Sequence, residues 1–208
     1  MEDTIDLVEK KQFRIMLNPV RQEMVHLLRL VARPLSANRV AERMQLSPSA
    51  AHAHLNKLVK MGLVSAQEGT RRDGSKTTYY QMRNVKLRLC LGRKDAFQGE
   101  REALAANLVD STFRSMLENV YRHDEPDVRN YSVLRFGALH LDTAQRMELT
   151  QLVEQYLEEH GALRPEAEEH WEYVVLAYRA GGAEAPAQAP PMPCVIKTLG
   201  GGSSLGVY

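Results

Sequence analysis

The chain has 208 residues, 44% of them apolar, which is enough for one or two small domains with their own cores. It has no apolar run of the ~18 residues that a membrane span needs, and its first residues lack the apolar core of a signal peptide. These features predict a cytoplasmic protein with no membrane partner. Two distant cysteines, Cys90 and Cys194, argue against a disulfide framework and a cysteine-based zinc site, and their own role is not apparent.

The net charge of +1 conceals an asymmetry between the two parts of the chain. Residues 1–85 carry 14 Lys and Arg against 8 Asp and Glu, whereas the remainder carries 13 against 18. A basic first part is typical of a segment that binds a polyanion, although ordinary domains reach the same charge.

Four helices are predicted in the first 62 residues. Apolar spacing over residues 4–17 indicates a loosely amphipathic helix. Asn18, Ser36 and Ser47 each precede an apolar stripe of helical period, so they are predicted N-caps of the next three helices. The last of these helices is predicted to end at Gly62.

After Gly62 the apolar period changes to two. The stretches "LVSAQEG" and "KTTYYQM" are predicted strands, and the Asp-Gly pair in "TRRDGS" predicts the turn between them. Helices followed by such a hairpin indicate a winged helix-turn-helix domain over residues 1–85.

A linker and a long helix are predicted over residues 86–127, the helix itself spanning 96–123. Its apolar stripe is too long for its chain neighbours to cover, so the helix is predicted to mediate dimerisation. The predicted contact residues are Leu104, Leu108, Val109, Phe113, Met116 and Val120.

Residues 128–180 are predicted to form a small α+β unit for dimerisation, effector sensing or both. Strands are predicted at 131–141 and 170–179, around a helix capped by Asp142 or Thr143. Residues 181–208 are rich in Gly, Pro, Ala and Ser and are predicted to be a disordered tail. The predicted fold class is therefore mainly α with α+β.

The stretches "NPVRQEMVHLL" and "LSANRVAERMQLSPSAAHAHLNKLVKMGLVSAQEG" resemble the ArsR-like winged helix-turn-helix transcriptional regulators. The family's recognition helix ends in a pattern matched here by His54-Leu55, Leu58 and Gly62-Leu63-Val64, and the wing "RRDGSKTTYYQ" is also similar. The resemblance covers roughly residues 1–85. It implies a DNA-binding regulator, a repressor, that acts as a homodimer on a double-stranded, pseudo-palindromic operator. The operator and any small-molecule effector are not specified.

The chain departs from the metal-sensing members of that family. Their cysteine motif on the helix before the recognition helix has no counterpart in "NRVAERMQL". Their paired Asp/His ligands on the long helix have none either, since Asp110 and His123 lie thirteen residues apart. No metal and no cofactor are therefore predicted.

Two histidines one residue apart, His52 and His54, lie on the predicted recognition helix. They diverge by about 200° around it, so they cannot share a metal, which needs a spacing of four. His54, beside the core residue Leu55, is interpreted as a partly buried structural histidine bonded to nearby backbone. His52 either contacts DNA bases or belongs to a solvated face.

The predicted DNA surface combines small and polar residues, which can approach base edges, with cations that suit phosphates and the minor groove. Each cation has a solvated surface charge as its alternative. The predicted contacts are Ser47, Ser49, Ala50, His52, Ala53, Asn56, Lys57 and Lys60 on the recognition helix, Arg39 and Arg43 before it, and Arg71, Arg72 and Lys76 in the wing.

Two other classes of function stay open. One is a winged helix that binds protein rather than DNA, and the other is a ligand sensor, metal sensor or metal-dependent enzyme built on the scattered histidines. No Ser/His/Asp, GxGxxG or HExxH pattern appears, so no enzyme is predicted.

Trp171, Tyr173 and Tyr178 are interpreted as core or edge residues rather than a ligand cage. An acidic cluster is interpreted as a solvated face rather than a metal site; it comprises Glu158, Glu159, His160, Glu166, Glu168, Glu169 and His170.

Overall fold

The computed structural model describes residues 3–71 and 73–179. The chain divides into two compact units, Met1–Val174 and Val175–Tyr208. Of the second unit only residues 175–179 are described, and they contain neither helix nor strand. The predicted tail over 181–208, Arg72 and Cys194 lie outside the described residues.

Seven helices and five strands are present in the described part of the first unit, and the overall class is mixed α and β as predicted. In chain order they are β1 (Asp3–Asp6), α1 (Lys10–Met16), α2 (Pro19–Val31), β2 (Leu35–Ser36), α3 (Ala37–Met44), α4 (Pro48–Lys60), β3 (Val64–Thr70), β4 (Lys76–Met82), β5 (Val85–Arg88), α5 (Gln98–Val120), α6 (Val128–Tyr131) and α7 (Thr143–His160).

The predicted N-caps of α2, α3 and α4 are confirmed. The side chain of Asn18 accepts a hydrogen bond from the backbone N–H of the third residue of its helix at 3.2 Å, and Ser36 and Ser47 do the same at 3.4 and 3.2 Å. Each cap satisfies an amide that the helix itself cannot. Helix α4 ends where Gly62 adopts φ +83°, a left-handed conformation that favours glycine.

The predicted wing is also confirmed. Strands β3 and β4 pair antiparallel from Val64↔Met82 to Thr70↔Lys76, and β2 pairs with the other edge of β4. At the tip, Gly74 has φ +81°, and the Asp73 carboxylate accepts from the Ser75 amide at 2.9 Å. Helices α2 to α4 followed by this hairpin form a winged helix-turn-helix.

The single helix predicted over residues 4–17 is wrong at its first part. Residues 3–6 form strand β1, which pairs in parallel with β5, from Asp3↔Val85 to Asp6↔Arg88. The Arg88 guanidinium donates two hydrogen bonds of 2.7 Å to the Asp6 carboxylate. This bond pair lowers the pKa of Asp6. Long-range pairing therefore overrides the local helical spacing, and the helix begins only at Lys10.

One hydrophobic core joins α1 to α4, the base of the wing and the start of α5. Its largest fully buried apolar members are Leu7, Phe13, Met24, Leu28, Val40, Leu55, Leu58, Leu63, Val64, Tyr80 and Leu104.

The N-terminal part of α5 is anchored in that core. Leu104 is fully buried within the chain, so the prediction that it contacts a partner is wrong for this residue. Arg101 is buried beside it, paired with Asp95 at 2.5 Å and stacked 5.8 Å from the ring centre of Phe13. Only the later part of the helix is left for a partner.

Helix α7 follows the predicted N-cap, and Asp142 and Gln145 form a capping box. The strands predicted at 131–141 and 170–179 are wrong for this chain alone. Tyr131 ends α6, and residues 133–141 and 171–179 are neither helical nor in a strand. A strand exists only through hydrogen bonds to a neighbouring strand, and the described residues supply none to either segment.

The segment after α7 contacts the winged helix-turn-helix through polar groups. The Glu172 carboxylate pairs with His26 Nδ1 of α2 at 2.6 Å, and Arg33 donates to the Pro165 carbonyl at 3.1 Å. Glu158 of α7 pairs with Lys86 of β5. The hydrogen bond that His26 makes to the Glu172 carboxylate raises the pKa of His26.

Within the described residues, no helix is both long and apolar enough to cross a bilayer.

Candidate nucleic-acid interface

Helix α4 has a buried face and an opposite face open to solvent. Ala51, Leu55 and Leu58 are fully buried. The exposed residues are Pro48, Ser49, His52, Ala53, Lys57 and Lys60. Ala50 and Asn56 of the predicted contacts are half-buried. The structure therefore brings most of the predicted helix residues onto one outward surface.

His52 belongs to that surface and is held by two neighbours. Asn56 Nδ2 lies 3.2 Å from His52 Nδ1, and the Tyr80 hydroxyl donates to Asn56 Oδ1 at 3.4 Å. The Tyr80 ring also meets the imidazole edge-on, with 6.2 Å between the ring centres. Asn56 thus fixes the orientation of His52. Its own amide is engaged within the protein, so it is less free to read bases than the sequence suggested.

His54 points the other way, towards α1 and α2. Its Nδ1 lies 3.4 Å from an Arg21 guanidinium nitrogen. Because a guanidinium only donates, Nδ1 accepts and the ring is neutral with its proton on Nε2. Burial, followed by the charges of Arg21 and Lys57, lowers the pKa of His54, consistent with that state. The interpretation of His54 as structural is supported, but its partner is a side chain instead of backbone.

Arg21 was missed by the sequence analysis. Its side chain is 7% exposed, and it donates to the carbonyl oxygens of Ile15 at 2.6 Å and Arg14 at 2.5 Å. The signal was available, because Arg21 precedes Met24 and Leu28 by three and seven residues and so falls on the buried stripe of α2. One guanidinium therefore ties the end of α1 to the recognition helix.

An open groove of about 530 Å³ lies between α3 and the wing. It brings together two predicted DNA contacts, Arg39 of α3 and Arg71 of the wing. Arg39 is exposed and paired with Glu42 at 2.9 Å, while Arg71 donates to the Thr77 hydroxyl at 3.3 Å. The groove is lined by Pro34, Leu35, Ser36, Asn38, Arg39, Glu42, Arg71 and Tyr79.

The wing tip and the end of α4 carry further cations. Lys76, Lys57 and Lys60 are exposed. The Asp73 carboxylate at the tip is held by hydrogen bonds from Ser75, which lower its pKa. Over residues 3–71 and 73–179, no three His, Cys, Asp or Glu side chains are grouped closely enough to hold a metal ion.

Residues 16–65 match a helix-turn-helix domain family. The match begins at the last residue of α1, covers α2 to α4 and ends at the second residue of β3. The remainder of the wing and helices α5 to α7 lie outside it.

No curated protein sequence matches the chain. Among solved structures, one similar chain is described as "Possible transcriptional regulator from Methanosarcina mazei Go1". It is 9% identical, the alignment covers 52% of this chain and 84% of the other, and the TM-score is 0.31. A similarity this low carries no argument about function.

Proposed function

We propose that the protein is a DNA-binding transcriptional regulator, a repressor that acts as a homodimer. The observation that carries the proposal is the outward face of α4 within the helix-turn-helix domain. It presents Ser49, His52 and Ala53 to solvent while Leu55 and Leu58 hold the helix to the core. A helix with such a slim, polar face fits the major groove of B-DNA.

Specificity and affinity come from different residues in this proposal. His52, with Ser49 and Ala53, reads base edges, because small neighbours let the helix approach the bases closely. Arg39, Lys57 and Lys60 contact phosphates, and Arg71, Arg72 and Lys76 of the wing contact the backbone or the minor groove. The exposure of all the described cations in this set supports the assignment.

The later part of α5 contributes to the dimer. Phe113 is 44% exposed, and Leu108, Val109, Met116 and Val120 are half-buried in the single chain. They continue the stripe that begins with buried Leu104. A twofold dimer built on this part of α5 carries two recognition helices, as a pseudo-palindromic operator with two half-sites requires.

A salt titration of DNA binding tests the proposal. Fluorescence anisotropy with a random-sequence duplex should show affinity falling with salt, at a log–log slope of about −0.9 per neutralised phosphate. Combining Arg71→Ala with Lys76→Ala removes two cations from each protomer and so four from the dimer, which should make the slope shallower by about 3.6.

The matched control is Lys94→Ala, an exposed lysine in the loop before α5 that is not among the proposed contacts. It should leave the slope unchanged. No measurable binding at low salt would contradict the proposal and favour a protein-binding winged helix. Binding with an unchanged slope in the double variant would remove the wing from the interface.

A further inference from the structure

Exposed apolar side chains are concentrated in one part of the first unit. In its described part, Leu91 is the one exposed large apolar side chain before residue 113, whereas fourteen occur over residues 113–174. We call these fourteen the C-terminal apolar surface: Phe113, Tyr121, Tyr131, Val133, Leu134, Phe136, Leu139, Leu141, Met147, Leu152, Tyr156, Trp171, Tyr173 and Val174.

The summed exposed area of these side chains exceeds the largest apolar patch of a typical monomer. An exposed fraction of about half or more leaves roughly 100 Å² per side chain, or about 1,400 Å² in total. The largest apolar patch of a typical monomer is about 300–600 Å². A stable protein interface buries about 800 Å² on each partner. The C-terminal apolar surface is therefore large enough to be an interface.

The segment 133–141 has a second property that points to its occupant. Five of its nine side chains belong to the C-terminal apolar surface. Within the described part of the chain, its backbone makes no hydrogen bond to other backbone groups. The Leu134 carbonyl accepts from the adjacent Arg135 side chain at 3.0 Å. Amides and carbonyls with no backbone partner beside apolar side chains make a template for strand addition.

We propose that residues 133–141 pair as an antiparallel β-strand with the same residues of a second copy of this chain. Here the proposal rests on the homodimer of the proposed function and locates a further part of its interface. The stripe Leu149, Leu152, Val153 and Tyr156 of α7, which has no buried residue, packs beside the paired strands.

The sequence of the segment is complementary to itself about its centre. Pairing around a twofold axis at Gly137 places Val133 opposite Leu141, and Phe136 opposite Ala138. The two basic side chains never meet their own copies, since Arg135 faces Leu139 and His140 faces Leu134. Gly137 has open space where a Cβ would be, so the two backbones can approach at the axis.

A charge at the centre of the segment tests the proposal on the full-length protein without DNA. Sedimentation equilibrium should show a dimer, and Phe136→Glu should raise its Kd by about tenfold or more, because Phe136 is 96% exposed and central in the paired strands. Leu91→Glu, at an exposed leucine outside the surface, is the matched control and should leave the Kd unchanged.

A cysteine at the axis tests the register. With Cys90 and Cys194 replaced by serine, Gly137→Cys should form a disulfide-linked dimer on mild oxidation, since paired residues at the axis have Cα atoms close enough for a disulfide. Gly99→Cys, at an exposed glycine at the start of α5, should not cross-link. The same yield of cross-linked dimer from both variants would overturn the register.

Hydrogen exchange distinguishes the other occupants. The amides of residues 133–141 should be protected only at concentrations where the protein is dimeric. Protection in a monomer would mean that the same chain covers the segment, residues 180–208 included, and would overturn the proposal. A protein that stays monomeric with these amides unprotected would also overturn it. A dimer that passes these tests but has no affinity for DNA would leave this inference intact and remove only the proposed function.

Discussion

Replacing Arg21 with methionine removes the guanidinium that joins α1 to the recognition helix. In the wild-type protein this group is 7% exposed and donates to the carbonyls of Arg14 and Ile15, with His54 Nδ1 at 3.4 Å. Methionine fills a similar length of the buried stripe but donates nothing. Two carbonyls at the end of α1 and one imidazole nitrogen then lose their donor.

The expected loss of stability follows from those three acceptors. The buried Ile15 carbonyl left without a donor costs about 1–3 kcal/mol, the part-buried Arg14 carbonyl costs less, and the 3.4 Å contact to His54 contributes little because it is long. The free energy of unfolding should therefore fall by about 3 kcal/mol. With a urea m-value of about 2 kcal/mol per molar, the midpoint moves down by roughly 1.5 M.

Urea unfolding followed by circular dichroism measures this loss, with two companion variants. Arg21→Lys keeps the charge but not the planar fork of donors, so its loss should be smaller. Arg43→Met, at an exposed arginine of α3, should change stability by less than about 0.5 kcal/mol. In Arg21→Met, NMR should show the pKa of His54 rising, because the guanidinium charge is one cause that lowers it. A loss below about 1 kcal/mol with an unmoved His54 titration would refute the reasoning.

Two further predictions concern the other histidines. His52→Ala should weaken binding to a selected operator duplex by up to about fivefold for each half-site, the scale of one weak base contact per protomer, and leave random-sequence binding unchanged in a competition assay. His54→Ala should instead lower the melting temperature and weaken both kinds of binding; identical profiles for the two variants would contradict the assignment. Glu172→Gln should lower the pKa of His26 in an NMR titration, since the carboxylate is the main cause that raises it. Because folding raises the pKa of His26, its pair with Glu172 contributes its full stabilisation below the unfolded pKa of about 6.5 and loses it as pH rises through the folded pKa. The variant's deficit in the free energy of unfolding should therefore shrink as pH rises. A deficit independent of pH would count against the pairing.

Local signals in the sequence predicted the helix-turn-helix well. Asn18, Ser36 and Ser47 were identified as caps because an N-cap bonds to an amide only a few residues away. The wing was predicted equally well, from the alternation of apolar and polar residues in its strands and from the Asp73-Gly74 turn. Both signals act over a few residues. These parts of the fold depend on short-range chemistry, which a single sequence displays directly.

Features that depend on distant residues were not predicted. Strand β1 forms because residue 3 meets residue 85, and nothing in the local spacing of residues 4–17 reports that partner. In the candidate interface, the face of α4 was predicted, but the Arg21–His54 contact was not, because it spans 33 residues. The strands predicted at 131–141 and 170–179 have the right composition and lack a partner within the described chain, which composition cannot reveal.

Helix α5 is anchored in the core at one end and only half-buried at the other, so it can act as a lever. Its 23 residues make a rod of about 35 Å, close to one turn of B-DNA. Leu104 and Arg101 fix the near end in the core that also holds the recognition helix. In the proposed dimer, a tilt of about 5° at that end moves the far end by about 3 Å, nearly the rise of one base pair. In that dimer the angle of α5 therefore sets the distance between the two recognition helices. Anything that changes this angle changes which half-site spacing of the operator fits.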